Sequence, residues 1–199
     1  TLAAGADLPE PAQTRNQHYA EEIEHYFRDY LVRDYPERAS HTWKRSYTSV
    51  PAYLKSVEPN RERYRRMLAP PEWKPAGKIE RTPRPDIAAT AEWISLPLAG
   101  GLKAEALLAF PESAKGPVPL VIAQHGIGSY PERVFGVGDA ENLYHDYGHA
   151  LLKAGFAVLA PFNLAVIQNR NRIERLARLA GTTLPGMEFT RMSRLLDEV

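Results

Sequence analysis

The sequence predicts an α/β protein that is preceded by a helical N-terminal extension. Two observations predict this class: short apolar runs alternate with Gly/Pro turns from about residue 86 onward, and two continuous apolar runs there flank a helical stretch. Before residue 86 the composition is different, because aromatic and charged residues dominate it. We therefore divide the 199 residues into a helical and extended region, residues 1–85, and an α/β region, residues 86–199.

The composition excludes several classes of function. Apolar residues make up 44% of the chain and charged residues 25%, which is the profile of a soluble globular protein. The formal net charge of +1 gives no strong field, so we expect neither nucleic acid nor a membrane as a partner. The absence of cysteine excludes disulfides and thiolate chemistry.

The start of the chain bears on the compartment. Residues 1–6 are small and Ala-rich, and they lack the charged and apolar regions of an intact signal peptide. They fit the remainder of a cleaved signal peptide and equally an arbitrary boundary. Because there is no initiator Met, processing or trimming is favoured, and we expect a periplasmic or secreted location in preference to a cytoplasmic one.

The first region predicts two helices and a linker. Asn16 is a suitable N-cap for a helix whose apolar residues recur every three or four positions, and Pro36 is expected to end it. The second helix is expected over residues 50–68, with Pro51 in its first turn. Its charged residues predict a solvated face, with a site for a substrate anion as the alternative. Five prolines over residues 70–85 predict an extended linker.

The second region begins with a predicted β-hairpin over residues 91–98 and 102–110, joined at Gly100-Gly101. Residues 118–124 (VPLVIAQ) and 156–160 (FAVLA) are continuous apolar runs, typical of strands buried on both faces. A helix over residues 142–154 connects these two runs, so the crossover rule makes them parallel neighbours or near neighbours. Two further helices are expected over residues 171–180 and 188–199.

A Gly-rich loop, His125-Gly126-Ile127-Gly128, follows the first apolar run directly. Open α/β sheets bind ligands at the carboxyl ends of their strands, and backbone N–H groups aimed there can hold an oxyanion. The candidate donor is the N–H of Ile127, with flanking glycines that give conformational freedom.

Two nucleotide-binding motifs do not fit this loop, whereas an ordinary turn does. A dinucleotide fingerprint requires a third glycine where Pro131 stands, and a phosphate-binding P-loop requires a Gly-Lys-Ser/Thr ending that is absent. An ordinary strand-to-helix turn without catalytic duty explains the glycines equally well, so the loop alone leaves that alternative open.

Three segments occur in a distinctive order: PLVIAQHGIGSYPER, YGHALLKAGFAVLAPFN and RLARLAGTTLPGMEFTRMSRLLDEV. They resemble the acetyl xylan esterase and dienelactone-hydrolase-like branch of the α/β-hydrolase superfamily. Its HG-x-G loop is matched at residues 125–128, its GF-V-L-A-P strand at 155–161 and its G-x-x-L-x-G-x-E turn at 181–188. The upstream SVPAYLKSVEPNRERYRRML also resembles the N-terminal extension of these esterases, so the resemblance covers most of the chain.

The resemblance implies that residues 86–199 form the N-terminal part of an α/β-hydrolase sheet, completed by residues outside this chain. In the family a strand and a G-x-S-x-G nucleophile elbow come next, and this sequence ends at Val199 before them. None of its serines lies in that motif, and all of its histidines precede that point. The nucleophile, acid and base are therefore expected beyond Val199, and no catalytic residue within this chain.

The implied activity is that of a serine-dependent carboxylic ester hydrolase that deacetylates acylated carbohydrate and needs no cofactor. This chain would supply Ile127 and Gly126 to the oxyanion hole. The expected partners are the remaining C-terminal part of the same hydrolase domain and a small ester or acylated carbohydrate. A catalytically inactive hydrolase-like binding module and a peptidase of the same fold are the alternatives. The residues expected around the substrate are His125, Gly128, Tyr130 and Phe135.

Two further features have a simpler interpretation. His145 and His149 are four residues apart on a predicted helix and could share a zinc ion, but the zincin pattern requires Glu where Asp146 stands, so packing histidines and no metal are expected.

Residues 156–160 are expected to leave an apolar edge of the sheet open, and the last helix is expected to lack the strand that it should cover.

Overall fold

The computed structural model describes residues 9–199 and divides the chain into two compact units, Thr1–Tyr64 and Arg65–Val199. Residues 65–85 thus group with the α/β region, because part of the predicted linker pairs with the sheet. The helices are α1 (Glu10–Arg28), α2 (Tyr35–Thr42), α3 (Val50–Leu68), α4 (Tyr147–Lys153), α5 (Ile167–Leu179) and α6 (Leu184–Leu196). The strands are β1 (Glu80–Pro83), β2 (Glu92–Leu98), β3 (Leu102–Ala109), β4 (Leu120–Ile122) and β5 (Ala157–Pro161).

The first helix of the first unit starts earlier than the sequence predicts. α1 starts at Glu10, not after Asn16, because a proline in the first turn is preorganised for a helix and Glu10 complements its positive end. A π-helical turn, Asp29–Arg33, follows α1. Pro36 then lies in the first turn of α2, so it begins a helix where the sequence predicted that it ends one. The predicted helix over residues 50–68 is confirmed as α3.

The second unit is built on a five-stranded sheet of order β1-β2-β3-β5-β4. β2 and β3 form the predicted antiparallel hairpin, with Leu98 opposite Leu102 across the Gly-Gly turn. β4 and β5 are parallel neighbours, as the crossover rule predicts, and β5 is antiparallel to β3. The mixed α/β class is therefore confirmed. β1 was missed, because Pro83 argues against a strand, although edge strands tolerate proline.

The predicted burial of the two apolar runs is half right. All five residues of β5 are buried, whereas Leu120 and Ile122 of β4 are 37% and 40% exposed. Among residues 9–199, β4 pairs only with β5, so β4 lies at one edge of the sheet and the expectation of an open edge at β5 is wrong. The reason is that the chain passes through α4 and returns between β3 and β4.

Helices cover both faces of the sheet. Leu195 of α6 packs with Leu108 and Leu159 on one face, so α6 does cover the sheet and the expectation that it lacks a strand beneath it is wrong. Val158 lies on the other face, together with Phe135 and the partly buried side chains of α4. Among residues 9–199, no helix combines the length and apolar character that crossing a bilayer requires.

Several helix boundaries differ from the predictions. α4 starts at Tyr147, five residues late, because His145 and Asp146 adopt left-handed backbone conformations that end any helix before it. α6 starts at Leu184, four residues early, because the Thr183 side chain caps it by accepting the Gly186 N–H.

The segment 68–73, which contains two prolines, is fastened to α6 and the turn before it. Four of its carbonyl groups accept hydrogen bonds from side chains of that region. The pairs are Thr183 to Leu68 at 2.7 Å, Thr182 to Ala69 at 2.6 Å, Thr190 to Pro71 at 2.9 Å and Arg194 to Trp73 at 2.9 Å.

Candidate functional site

The loop after β4 lies at the carboxyl end of a strand that runs parallel to β5, which is where the sequence predicts a site. His125 begins the loop and is only 5% exposed. Its Nε2 accepts a hydrogen bond from the Asn163 N–H at 3.4 Å, so Nδ1 carries a hydrogen, which it donates to the Gly126 carbonyl at 3.0 Å. Both ring nitrogens are therefore engaged in shaping the loop.

Gly128 fixes the path of the loop. Its φ of 80° lies in the left-handed region, where glycine is unstrained. Its N–H donates to the Ala165 carbonyl at 3.1 Å, and the next N–H, that of Ser129, donates to the Gly126 carbonyl at 3.2 Å. Ser129 itself is buried, and its hydroxyl has no partner among residues 9–199. The loop is thus a tight turn anchored on the segment that follows β5.

The N–H of Ile127 takes no part in these hydrogen bonds. Within the part of the chain that the structure describes, it makes no hydrogen bond, and the residue is 64% exposed. A backbone N–H in this situation can donate to a bound oxygen atom without breaking an existing bond. Its role as an oxyanion donor stays a prediction.

The N–H of Gly126 is differently placed. It donates to the hydroxyl of Tyr144 at 2.8 Å. A Cβ atom at position 126 would lie 3.2 Å from that hydroxyl, so the absence of a side chain permits the approach. The predicted second donor is therefore already paired, and its partner is a residue that sequence reasoning assigned to an ordinary helix.

The two aromatic residues predicted to surround the substrate have different environments. Tyr130 is 39% exposed, and its hydroxyl donates to the Gly138 carbonyl at 3.4 Å. Phe135 is 2% exposed and packs in the core, with its ring edge-on to His149 at a centroid distance of 5.5 Å. The structure therefore differs from the prediction that Phe135 faces substrate, because core packing accounts for its ring.

A buried ion pair supports Tyr144. The side chain of Asp139 accepts the Tyr144 N–H at 2.7 Å and the Arg133 guanidinium at 2.8 Å. Burial opposes ionisation of Asp139, but these hydrogen bonds outweigh it and lower the pKa of its carboxyl. The residue is thus a fixed negative charge that orders the turn before α4.

A second ion pair supports the segment that anchors the loop. Glu188 accepts the Leu164 N–H at 3.3 Å and pairs with Arg170 at 2.8 Å. Arg170 also donates to the Leu164 carbonyl at 2.5 Å. Because the carbonyl of the next residue, Ala165, holds the Gly128 N–H, the pair fixes the base of the loop. The sequence marked Glu188 by its motif but gave it no role.

His145 and His149 do not share a helix face, because His145 lies outside α4. His149 Nδ1 contacts Asp146 at 2.5 Å, and Nε2 contacts the Ile87 carbonyl at 2.8 Å. In residues 9–199, no group of three or more His, Cys, Asp or Glu side chains is placed to hold a metal ion.

Comparison with solved structures places this fold beside an esterase-like α/β protein. One similar structure, from Bacteroides fragilis, is described as a "putative acetyl xylan esterase". It aligns with a TM-score of 0.53 at 16% sequence identity, over 76% of this chain and 44% of its own. At this identity the likeness establishes the fold only, and this chain spans less than half the length of the Bacteroides protein.

Comparisons with protein-family models and with curated protein sequences find no match.

Proposed function

We propose that this chain supplies the oxyanion-hole loop of a serine-dependent carboxylic ester hydrolase. The observation that carries the proposal is the N–H of Ile127 at the carboxyl end of β4, which has no hydrogen-bond partner within residues 9–199. An ester carbonyl oxygen gains negative charge as it is attacked, and a fixed N–H donor aimed at that oxygen lowers the barrier. The strand order and the structural neighbour support the hydrolase class.

The proposed reaction needs residues outside this chain. A serine hydroxyl attacks the ester carbonyl carbon while a histidine, oriented by a carboxylate, takes its proton. The oxyanion binds the Ile127 N–H and the N–H that follows the serine. Collapse of the intermediate expels the alcohol, which takes the proton from the histidine, and water then hydrolyses the acyl-enzyme by the same route.

The substrate class and the partner are part of the proposal. Acetylated carbohydrate is favoured by the resemblance of the three sequence segments and by the description of the Bacteroides protein. The partner is the rest of the same hydrolase domain, whose next strand would pair with the open side of β4. The exposed side chains of Leu120 and Ile122 support this, because such a neighbour would help to bury them.

The test uses the natural polypeptide that carries these residues. It should hydrolyse p-nitrophenyl acetate, and a fluorophosphonate should label a serine outside residues 1–199. Ile127→Pro removes the N–H and should lower kcat/KM by about 10²–10³-fold, whereas Ile127→Ala keeps the N–H and should change it little. Circular dichroism checks that both variants are folded.

The other outcomes separate the alternatives. No hydrolysis together with no labelled serine would favour a binding module that lacks catalysis. Faster cleavage of a peptide anilide than of the ester would favour a peptidase. Equal activity of folded Ile127→Pro and Ile127→Ala would contradict the role of the Ile127 N–H.

A further inference from the structure

The hydroxyl hydrogen of Tyr144 is available to donate to a ligand. It accepts the Gly126 N–H at 2.8 Å, and its own hydrogen has no acceptor among residues 9–199. We propose that this hydroxyl is a further donor of the site, so that a carboxylate, such as the acetate that the proposed reaction releases, is held between the Tyr144 O–H and the Ile127 N–H. The inference rests on the proposed function and assigns a side chain to the place predicted for Gly126.

The two donors lie close enough to act together. Consecutive backbone nitrogens are at most about 3.7 Å apart. Since the Tyr144 oxygen is 2.8 Å from the Gly126 nitrogen, it lies within about 6.5 Å of the Ile127 nitrogen. A carboxylate with two oxygens, each about 2.9 Å from one donor, bridges a gap of that size.

The hydrogen bond from Gly126 strengthens this donor. A hydroxyl that accepts a hydrogen bond becomes a better donor, because chains of hydrogen bonds polarise one another. The Arg133 guanidinium acts in the same direction, since it lies 5.6 Å from the centre of the Tyr144 ring and draws on its electron density. The N–H of Gly126 thereby acts on the ligand through the phenol.

The ring is held in place before any ligand arrives. The backbone N–H of Tyr144 donates to the Asp139 carboxylate at 2.7 Å, and the centre of its ring is 6.3 Å from that of Tyr147, with the two rings tilted. Its apolar part packs on the core. Fixing the donor in advance removes an ordering cost from binding, and such preorganisation is what distinguishes a binding group from a mobile surface tyrosine.

The neighbouring tyrosine provides a matched control. Tyr147 donates its hydroxyl to the Gln124 carbonyl at 3.2 Å, so its hydrogen already has an acceptor. Both Tyr144→Phe and Tyr147→Phe remove one hydroxyl and keep the ring. Only the first should affect a bound anion.

The experiment titrates the natural polypeptide, labelled with ¹⁵N at isoleucine and glycine, with sodium acetate at constant ionic strength. Acetate should shift the Ile127 amide resonance, with a Kd about tenfold weaker in Tyr144→Phe and unchanged in Tyr147→Phe. The Gly126 resonance reports directly on its bond to the phenol, and the rest of the spectrum reports on folding.

Equal Kd values in the wild type and Tyr144→Phe would overturn the inference, and a changed Gly126 resonance alone would reduce Tyr144 to a residue that positions the loop. No acetate response at Ile127 in the wild type would overturn it as well. Failure of the proposed function is recognised separately, by the absence of p-nitrophenyl acetate hydrolysis.

Discussion

β5 and β4 have similar apolar sequences and opposite surroundings. Leu159 and Val158 in β5 are fully buried, whereas Leu120 and Ile122 in β4 are more than a third exposed. β5 has a strand on each side and helices over both faces, while β4 has one strand neighbour in the part of the chain that the structure describes. The comparison shows that an apolar run indicates that both faces of a strand can be buried. Whether they are buried depends on the strands and helices that pack against it.

The largest effect is expected from truncating a side chain in the central strand. Leu159→Ala should lower the free energy of unfolding by about 2–5 kcal/mol, because it leaves a cavity between the sheet and α6. Ile122→Ala in the edge strand should cost about 1 kcal/mol or less, since its side chain is already 40% exposed. Urea unfolding of both variants measures the difference. Equal losses would mean that β4 is covered in solution.

A smaller effect is expected where α4 lies over β5. A Cβ atom on Gly148 would lie 2.8 Å from the Phe135 ring and 2.9 Å from the Val134 carbonyl. Gly148→Ala should therefore lower the free energy of unfolding by about 1–3 kcal/mol, although alanine is the better helix former. Gly116→Ala, in the loop before β4, meets no atom within 4 Å and should have little effect. Thermal unfolding of the pair tests this, and the opposite ranking would show that α4 yields easily.

The smallest expected effect is the pH dependence of the stability that His149 in α4 contributes. Its two nitrogens face acceptors, Asp146 and the Ile87 carbonyl, so only the imidazolium donates to both. Burial opposes that charge, but these contacts outweigh it and raise the pKa of His149. Glu112 and Lys153 line the same cleft.

Because the pKa of His149 is higher in the folded state, its stabilisation is complete below about pH 6.5 and is lost as the pH rises through the folded pKa. His149→Gln should therefore cost up to about 1 kcal/mol at pH 5.5 and less at pH 8.5, a small amount because the side chain is 39% exposed. Denaturation at both pH values measures this, with His145→Gln as the control. A loss that does not change with pH would contradict the charged form.

The fold was predictable where one local signal sufficed. The hairpin followed from two strand patterns around Gly100-Gly101, and the parallel pair followed from two apolar runs joined by a helix. β1 was not predictable, because pairing with β2 decides its structure and its own Pro83 argues against it. The start of α6 was signalled by Thr183 and Pro185, but the family motif drew the predicted start to Glu188.

Sequence patterns predicted only those parts of the candidate site that are close together in the sequence. The spacing of Gly126 and Gly128 predicted the loop and its donor at Ile127. The role of Tyr144 could not be predicted, because its contact with Gly126 spans 18 residues of sequence. That contact also depends on a turn through non-glycine residues that have left-handed backbone conformations. Such conformations are costly in isolation, and only the tertiary bonds that hold them make them stable.

The hydrogen bonds that hold residues 68–73 in place are redundant. Four separate side chains each hold one carbonyl of this segment. Removing any one of them leaves three attachments intact, so we expect single substitutions to have small effects, except at Thr183, whose side chain also caps α6. Only combined replacements release the segment, and their joint effect exceeds the sum of the single ones because the four bonds share one stretch of backbone.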